Sequence, residues 1–322
     1  MMLSASLPRS KTSTVWVFPG QGSQKLGMGM DLLQSPFAKL RLQQAEAILG
    51  WSISEVWQGQ DKKLSNTRYT QPCLYLFMTL LVDLMKRSGY LPDIVAGYSF
   101  GEYVALYAAG AYDFETGLKL IQKRSEIMSR LPKGSMVTLK GFEPAQLKRA
   151  IKKTPNVWLA NDDFTYAIIS GTSEGIDAIL STVDIERVIP LEVSAAFHTP
   201  LVKPAAEEFQ EILESTVFQP FDIPVFSSID FVPRVNIEKL KNSLICQISE
   251  PVRWQTISGA LVTQRIEQAI QIGCGQGLLK PMKKVDPSLE ISNVGSTADI
   301  NSLVIRDQLR KMSTLKSKAL KV

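Results

Sequence analysis

The chain has 322 residues, of which 45% are apolar and 21% are charged, with 20 glycines and 17 prolines. This composition is typical of a globular protein of one or two domains, and it excludes a disordered, collagen-like or low-complexity chain. The formal net charge of +5 comes from five bases in residues 308–322, so the rest of the chain lacks the basic face that nucleic-acid binding requires.

The first segment of the chain predicts a terminus, a strand and a loop. Residues 1–13 contain no long apolar stretch of the kind found in a secretory signal, and we interpret them as a flexible terminus. The apolar run from Thr14 to Phe18 predicts a buried strand. It leads directly into a loop from Pro19 to Gln24 with two glycines, which can present backbone N–H groups to a ligand.

Pro72 is predicted to begin a helix, since apolar side chains recur after it at helical spacing as far as Met85. Lys86 and Arg87 suit the C-terminal end of a helix, and Gly89 suits its cap. The longest apolar stretch of the chain lies in this helix and is far shorter than the ~20 residues that span a bilayer. With three scattered cysteines as well, we expect a cytoplasmic protein without a membrane segment.

A strand, a sharp turn and a helix follow one another between Asp93 and Ala109. The turn reads GYSFG from Gly97 to Gly101, and its glycines permit a strained backbone and a close approach of strand and helix. This context favours Ser99 as a nucleophile at a helix N-terminus, where negative charge is stabilised. A purely structural turn is the alternative.

The next predicted helix contains a single arginine, Arg124. Asp113 is its predicted N-cap, and apolar residues recur at helical spacing from Leu118 to Met128. A lone arginine on a helix is usually solvated, so this pattern by itself assigns Arg124 no function.

Residues 134–195 predict a small subdomain inserted into a larger α/β domain. The predicted order of strand, helix, strand, strand, helix and strand is the ferredoxin-like arrangement. These elements are predicted at 136–139, 144–153, 157–160, 166–170, 173–183 and 187–193. The large domain then comprises residues 14–133 and 196–305, and residues 306–322 are interpreted as a flexible terminus.

His198 is the only histidine of the sequence. With three separated cysteines, neither a zinc site nor a multi-histidine metal site is expected. The residue lies where the chain returns from the small subdomain to the large domain, and a cleft between two domains is a common place for a binding site. A buried structural histidine is the alternative.

Strands and helices alternate after residue 222, which predicts a mostly parallel sheet covered on both faces. The strands are predicted at 223–228 and 269–272, and the helices at 237–247 and 252–263. The glycines of residues 273–277 lack the lysine spacing of a phosphate-binding loop, and Lys280 breaks the dinucleotide pattern, so we discount nucleotide binding. The basic end of the chain is either a solvated terminus or a contact for an acidic partner.

Ser99, His198 and the glycine-containing loop together indicate acyl transfer. The serine hydroxyl attacks a carbonyl carbon while the imidazole accepts its proton. The backbone N–H groups of Phe100 and Gln21 are the natural donors to the tetrahedral oxyanion.

Five segments resemble, in order and spacing, the malonyl-CoA:acyl carrier protein transacylases of bacterial fatty acid synthesis. They read FPGQGSQ at 18–24, GYSFGE at 97–102, QKRSEIM at 122–128, VSAAFH at 193–198 and PVRW at 251–254. The resemblance covers roughly residues 14–300. It implies a hydrolase-like α/β large domain with the ferredoxin-like insert and the site between them. It also implies a monomer that binds no metal and no cofactor.

The resemblance implies that Ser99 is the acylated nucleophile and that His198 acts as general base and then as general acid. Arg124, 25 residues after the nucleophile, is implied to hold the malonyl carboxylate. The other implied site residues are the oxyanion donors Gln21 and Phe100, and Gln247, whose backbone carbonyl orients the histidine. The implied mechanism is ping-pong transfer from malonyl-CoA, through a malonyl-serine, to the phosphopantetheine thiol of acyl carrier protein.

The sequence departs from the family pattern at three places. Tyr98 replaces the usual histidine before the nucleophile, residues 161–165 lack the usual Ser-Pro, and residues 273–277 replace a common GPGxVL pattern. A polyketide-type acyltransferase, an acyl-carrier-protein hydrolase and a catalytically silent carrier-binding module are therefore the alternatives. Lys280, Lys283 and Lys284 are candidates for docking an acidic carrier protein. The alternative is that they form a solvated helix face.

Overall fold

The structure, a computed structural model, describes residues 13–59, 62–163, 166–193 and 195–319. The strands are β1 Thr14–Phe18, β2 Ile94–Gly97, β3 Ser135–Phe142, β4 Val157–Asp162, β5 Ala167–Gly171, β6 Ile185–Pro190, β7 Val225–Phe226, β8 Pro233–Arg234, β9 Gln268–Ile272 and β10 Glu290–Val294. The helices are α1 Pro36–Leu49, α2 Ile53–Gln58, α3 Thr67–Arg87, α4 Gly101–Ala109, α5 Phe114–Ser129, α6 Pro144–Lys153, α7 Ser173–Thr182, α8 Lys203–Ser215, α9 Ile237–Ser249, α10 Trp254–Val262, α11 Leu279–Val285 and α12 Thr297–Ala319.

A mainly parallel sheet organises the large domain. Within the described ranges its strand order is β10-β9-β1-β2-β7-β8, with β8 antiparallel to β7. Every residue of β1 and β2 is buried, because helices cover both faces of the sheet. The register sets Phe18 beside Gly97, so the loops after β1 and β2 leave the sheet at the same edge. The predicted parallel α/β sheet is confirmed.

The small subdomain contains a separate antiparallel sheet with the strand order β4-β5-β3-β6. The succession of its elements and this strand order are ferredoxin-like, as predicted. Leu147 of α6 and Ile176 of α7 pack against Leu139 and Ile169 of the sheet in a core of their own. Strand β6 begins and ends earlier than the predicted 187–193, because its pairing with β3 starts at Ile185.

Helix α3 begins five residues before Pro72, which corrects the predicted start. The side chain of Asn66 accepts a hydrogen bond from the backbone N–H of Arg68 and caps the helix. Pro72 therefore lies inside the helix, where a missing N–H normally costs about 3 kcal/mol. The helix continues because 15 of its 21 residues are buried, and each buried large apolar side chain contributes about 1.5–3 kcal/mol.

The C-terminal segment, which the sequence analysis interprets as a flexible terminus from residue 306, continues as a helix. Helix α12 continues to Ala319, and Asp299 in its first turn accepts hydrogen bonds from Gly295 N–H and Ser296 Oγ. The predicted N-terminal segment up to residue 12, Ser194 of the fourth motif and residues 320–322 lie outside the described residues. No helix in the described ranges is long and apolar enough to cross a bilayer.

Candidate active site

Ser99 lies at the carboxyl edge of the parallel sheet, two residues after the end of β2. The Tyr98 N–H donates to the carbonyl oxygen of Phe18 at 2.9 Å, which holds the turn against the end of β1. Helix α4 begins at Gly101, so the serine stands at a helix N-terminus, where partial positive charge stabilises an anion. This edge is where open α/β sheets bind their ligands.

The turn around Ser99 is strained. The φ angle of Ser99 is +50°, in the left-handed region that side chains other than glycine rarely adopt. A Cβ at Gly97 would lie 2.0 Å from the backbone nitrogen of Glu102, and one at Gly101 would lie 2.1 Å from the carbonyl oxygen of Phe18. Neither position can hold a side chain unless the backbone moves. A strained serine between a strand and a helix has the geometry of a nucleophile elbow.

We expect Gly97→Ala to lower the free energy of unfolding by about 3 kcal/mol or more, because the clashing atoms belong to the backbone. Urea unfolding of both proteins measures the difference. Gly259→Ala in α10 is the matched control, since its added Cβ meets no atom within 4 Å. Alanine is the better helix former by up to about 1 kcal/mol, so this control should not be destabilised. An equal loss of unfolding free energy in the two variants would contradict the close approach of Gly97 to the start of α4.

His198 is oriented by two backbone carbonyl groups. Its Nδ1 lies 2.9 Å from the carbonyl oxygen of Gln247 and 3.1 Å from that of Glu250. Because both neighbours are acceptors, Nδ1 carries the proton and donates, which leaves Nε2 as the proton acceptor. The contact implied for Gln247 is therefore present in the structure.

The surroundings of His198 favour the neutral imidazole. Burial, and after it the charge of Arg124, lower the pKa of His198 to about 4, against the opposing effect of the two carbonyl groups. The imidazole is therefore unprotonated at Nε2 near neutral pH, as a general base must be.

Arg124 is a buried cation, with 1% of its surface exposed. Its Nε and Nη2 atoms have no hydrogen-bond partner among the described residues, and its guanidinium carbon lies 5.0 Å from the ring centre of Tyr103. Burying guanidinium donors without an acceptor is costly. An anionic ligand that pairs with these donors removes this cost. The burial of Arg124 excludes the solvated arginine considered in the sequence analysis.

One cavity brings together five of the six predicted site residues, and the sixth, Gln247, contacts His198 from outside its lining. Its lining comprises Gln21, Gln71, Tyr98, Ser99, Phe100, Arg124, Met128, Met136, Ile168, Leu191, Val193, Phe197 and His198. The lining includes Met136 of β3 and Ile168 of β5, so the cavity lies between the large domain and the small subdomain. A neighbouring cavity shares Gln21, Tyr98 and Ile168 with it and continues along the loop after β1.

Gln71 is a cavity residue that the sequence analysis did not identify. Its Nε2 lies 3.4 Å from Oε1 of Gln21, whose own Nε2 donates to Thr67 Oγ1 at 3.0 Å. Its Oε1 is buried without a hydrogen-bond partner among the described residues. The only signal in the sequence is a polar residue immediately before Pro72 and the apolar run that follows it.

The three departures from the family pattern lie close to these cavities. Tyr98 lines both of them and packs against Trp254 with ring centres 6.0 Å apart. Asn161 is 1% exposed, and its side-chain atoms have no partner among the described residues, which do not include 164–165. Cys274 and the glycines on either side of it, at 273–277, follow β9 beside the second cavity.

The three lysines considered for carrier docking all lie in α11. Lys283 donates to the carbonyl oxygen of Leu289 at 2.6 Å, so its ammonium group is engaged within the chain. Lys280 is exposed. The described residues contain no cluster of three or more histidine, cysteine, aspartate or glutamate side chains that could hold a metal ion.

Comparison with known proteins gives consistent matches. The family model described as acyl transferase domain matches residues 15–275. The malonyl CoA-acyl carrier protein transacylase of Synechocystis is 43% identical over 291 residues, which cover 90% of this chain and 99% of that protein. The crystal structure of the Synechocystis enzyme superposes with a TM-score of 0.86 over 90% of this chain and 99% of that one.

Two further matches come from polyketide biosynthesis. The polyketide biosynthesis malonyl CoA-acyl carrier protein transacylase PksC of Bacillus subtilis is 38% identical over 84% of this chain and 96% of that protein. The solved complex PlMCAT:AntF holds a type II PKS acyl-carrier protein with its malonyl-transacylase. This chain is 29% identical to the matched chain, with a TM-score of 0.85 over 92% of this chain and 100% of that one.

Proposed function

Since the chain belongs to the malonyl-CoA:acyl carrier protein transacylase family, we propose that it transfers malonyl from malonyl-CoA to the phosphopantetheine thiol of an acyl carrier protein. The transfer supplies fatty acid synthesis. The observation that carries this proposal is the buried guanidinium of Arg124, which lines the same cavity as Ser99 and His198 and whose Nε and Nη2 have no partner among the described residues. A serine, a base and a buried cation together fit an acyl donor with a free carboxylate.

The first half-reaction forms a malonyl-serine. Nε2 of His198 accepts the proton of Ser99 Oγ as the oxygen attacks the thioester carbonyl carbon. The backbone N–H groups of Phe100 and Gln21 donate to the oxyanion of the tetrahedral intermediate. When the intermediate collapses, the carbon–sulfur bond breaks, and His198 gives its proton to the departing thiolate of coenzyme A.

The second half-reaction repeats these steps in reverse with the carrier thiol. His198 accepts the thiol proton as the sulfur attacks the carbonyl carbon of the serine ester. When the tetrahedral intermediate collapses, the bond from that carbon to Ser99 Oγ breaks, and His198 returns the proton to Ser99 Oγ. The overall exchange converts one thioester into another, so it requires no input of free energy. This ping-pong scheme also explains why a single histidine suffices, since it alternates between base and acid.

Arg124 selects the acyl group. A guanidinium can donate two parallel hydrogen bonds to a carboxylate, and burial strengthens the pair. Acetyl-CoA offers no carboxylate and leaves the buried cation without a partner. Malonyl is therefore favoured over acetyl by the free energy that the buried guanidinium gains when it pairs with a carboxylate.

We further propose that the reaction uses no bound cofactor, because the residues of the cavity supply the nucleophile, the base and the oxyanion donors. Coenzyme A enters only as part of the substrate, and phosphopantetheine is carried by the partner. We also propose a cytoplasmic location, which the free cysteines Cys73, Cys246 and Cys274 support.

The proposal is tested by intact-protein mass after brief incubation with malonyl-CoA, acetyl-CoA or methylmalonyl-CoA, followed by phosphopantetheinylated carrier protein. We expect an adduct from malonyl-CoA that maps to Ser99 and moves to the carrier. No adduct from any donor would favour the silent carrier-binding module. An adduct lost to water as fast as to the carrier would favour the hydrolase, although hydrolysis alone requires no carboxylate clamp such as Arg124.

The identity to PksC and the likeness to a type II PKS complex favour polyketide synthesis as the second candidate pathway. The chemistry is the same, and only the carrier protein differs. Comparing kcat/KM for a fatty-acid carrier and a polyketide carrier distinguishes the two pathways, because the physiological partner should react at least tenfold faster.

We expect the kcat/KM for malonyl-CoA to be constant from about pH 8 to about pH 5 and to fall with a midpoint near pH 4. Protonation of Nε2 removes the base, and the pKa of His198, lowered to about 4, delays that loss below the ordinary value of 6.5. Steady-state rates across this range, with circular dichroism to confirm folding, measure the midpoint. A midpoint at pH 6.5 or above would contradict the buried, neutral histidine.

A further inference from the structure

Glu102 is a buried carboxyl group to which the reaction described above gives no role. It lies in the first turn of α4, three residues after Ser99, and has no exposed surface. Its Oε2 accepts hydrogen bonds from Gln247 Nε2 at 2.7 Å and from Ser228 Oγ at 2.6 Å. Both donors are themselves buried, so three separate segments of the large domain meet at this oxygen.

We propose that Glu102 is a positioning residue that holds His198 in register with Ser99, through its hydrogen bond to Gln247. This inference rests on the function proposed above. Glu102 is linked to Ser99 through the backbone, since its N–H donates to the carbonyl oxygen of Ser99 at 3.0 Å. It is linked to His198 through Gln247, whose backbone carbonyl accepts a hydrogen bond from Nδ1 of His198 at 2.9 Å.

The side chain of Gln247 depends on Glu102 for its position. Gln247 is 2% exposed, and its Oε1 has no hydrogen-bond partner among the described residues. The bond from Nε2 to Glu102 is therefore the polar contact that anchors this side chain within the described structure. Residues 102 and 247 lie 145 positions apart, on α4 and α9, so the bond joins the helix of the nucleophile to the helix that supports the base.

The carboxyl group acts here as a neutral acceptor. Burial raises the pKa of Glu102 to about 8, so the group is mostly protonated at neutral pH. A neutral acid keeps an acceptor oxygen for Gln247 and Ser228 and adds no negative charge near the histidine. A glutamine at this position keeps an acceptor oxygen of the same reach, whereas a methionine of similar length offers none.

The test is the rate constant for malonylation of Ser99 in single turnovers at saturating malonyl-CoA. We expect Glu102→Met to lower this rate constant at least tenfold without changing the half-saturating concentration of malonyl-CoA. Glu102→Gln should restore it to within about threefold of the parent protein. Ser228→Ala removes the hydroxyl that donates to Oε2 but leaves the bond from Gln247, so it is the matched control and should keep the parent rate constant.

A merely structural role has a different signature. Loss of folded protein lowers the amplitude of the single turnover and the melting temperature but leaves the rate constant of the remaining enzyme unchanged. That result with Glu102→Met would overturn the inference. Gln247→Met keeps the backbone carbonyl that faces His198 and removes only the amide, so it provides a second variant, for which we expect the same tenfold loss.

The two substitutions also form a double-mutant cycle. If Glu102 acts through Gln247, the double variant should be no slower than either single variant. If the rate losses of the two single variants multiply in the double variant, the inference is overturned and the proposed function stands. If the parent protein forms no malonyl adduct at all, the proposed function and this inference both fail.

Discussion

Ser99→Ala is expected to abolish malonyl transfer, with a loss in kcat/KM for malonyl-CoA on the order of 10⁴–10⁶-fold. The substitution removes the hydroxyl at the strained turn, while His198 and the oxyanion donors stay in place. No covalent intermediate can then form at this position, so a mechanism through a malonyl-serine has no route. Steady-state transfer to carrier protein and intact-protein mass after malonyl-CoA treatment both measure the loss.

The fold should tolerate this change. Alanine lacks only the hydroxyl and can adopt the same φ of +50° at a cost similar to that of serine. Ser129→Ala, on α5 and outside the lining of the cavity, is the control and should retain both adduct and turnover. Its hydroxyl donates to the carbonyl oxygen of Glu126 at 2.8 Å. A stoichiometric malonyl adduct on the Ser99→Ala protein would assign the nucleophile to another residue.

Arg124→Met is expected to reverse the acyl selectivity. Malonylation should slow by about 30- to 5,000-fold or more, since truncating one partner of a buried charge pair typically costs 2–5 kcal/mol or more. Acetylation of Ser99 from acetyl-CoA should be unchanged or faster, because acetyl makes no bond to the guanidinium. Comparing the acylation rate constants for the two donors measures the reversal directly.

The same variant carries a stability prediction. Arg124 has buried donors without partners in the part of the chain that the structure describes, and methionine fills much of the space without a charge. We therefore expect the Arg124→Met protein to be more stable than the parent, by on the order of 1–4 kcal/mol. Lys123→Met removes the same charge from the neighbouring, exposed position and should change neither selectivity nor stability. A parallel loss of malonyl and acetyl transfer would contradict a carboxylate-binding role.

The nucleophile turn was predictable because its causes are local. A buried strand, a serine between two glycines and a helical run stand within seventeen residues of sequence. The clashes that exclude a side chain at Gly97 and Gly101 involve the strand and helix that flank the turn and the end of β1 beside it. The small subdomain was predictable for a similar reason, since its alternating strands and helices follow one another without interruption.

Helix α3 shows where local signals fail. Pro72 is a strong signal for a helix start, yet the helix begins at Thr67 and runs through the proline. The burial of most of its surface outweighs the local cost, and that burial is supplied by distant parts of the chain. Helix α12 extends beyond residue 306, which the basic composition did not indicate.

The sequence by itself determined the fold class, the sharp turn between strand and helix at Ser99 and the one available imidazole, because periodicity, glycine positions and residue counts carry that information. Only the tertiary structure decided that Arg124 is buried with two donors that no described residue pairs, that Gln71 lines the cavity and that Gln247 bonds Glu102. These are contacts and exposures set by packing between segments up to 145 positions apart. No local pattern encodes them, since a residue's burial depends on which distant surfaces cover it.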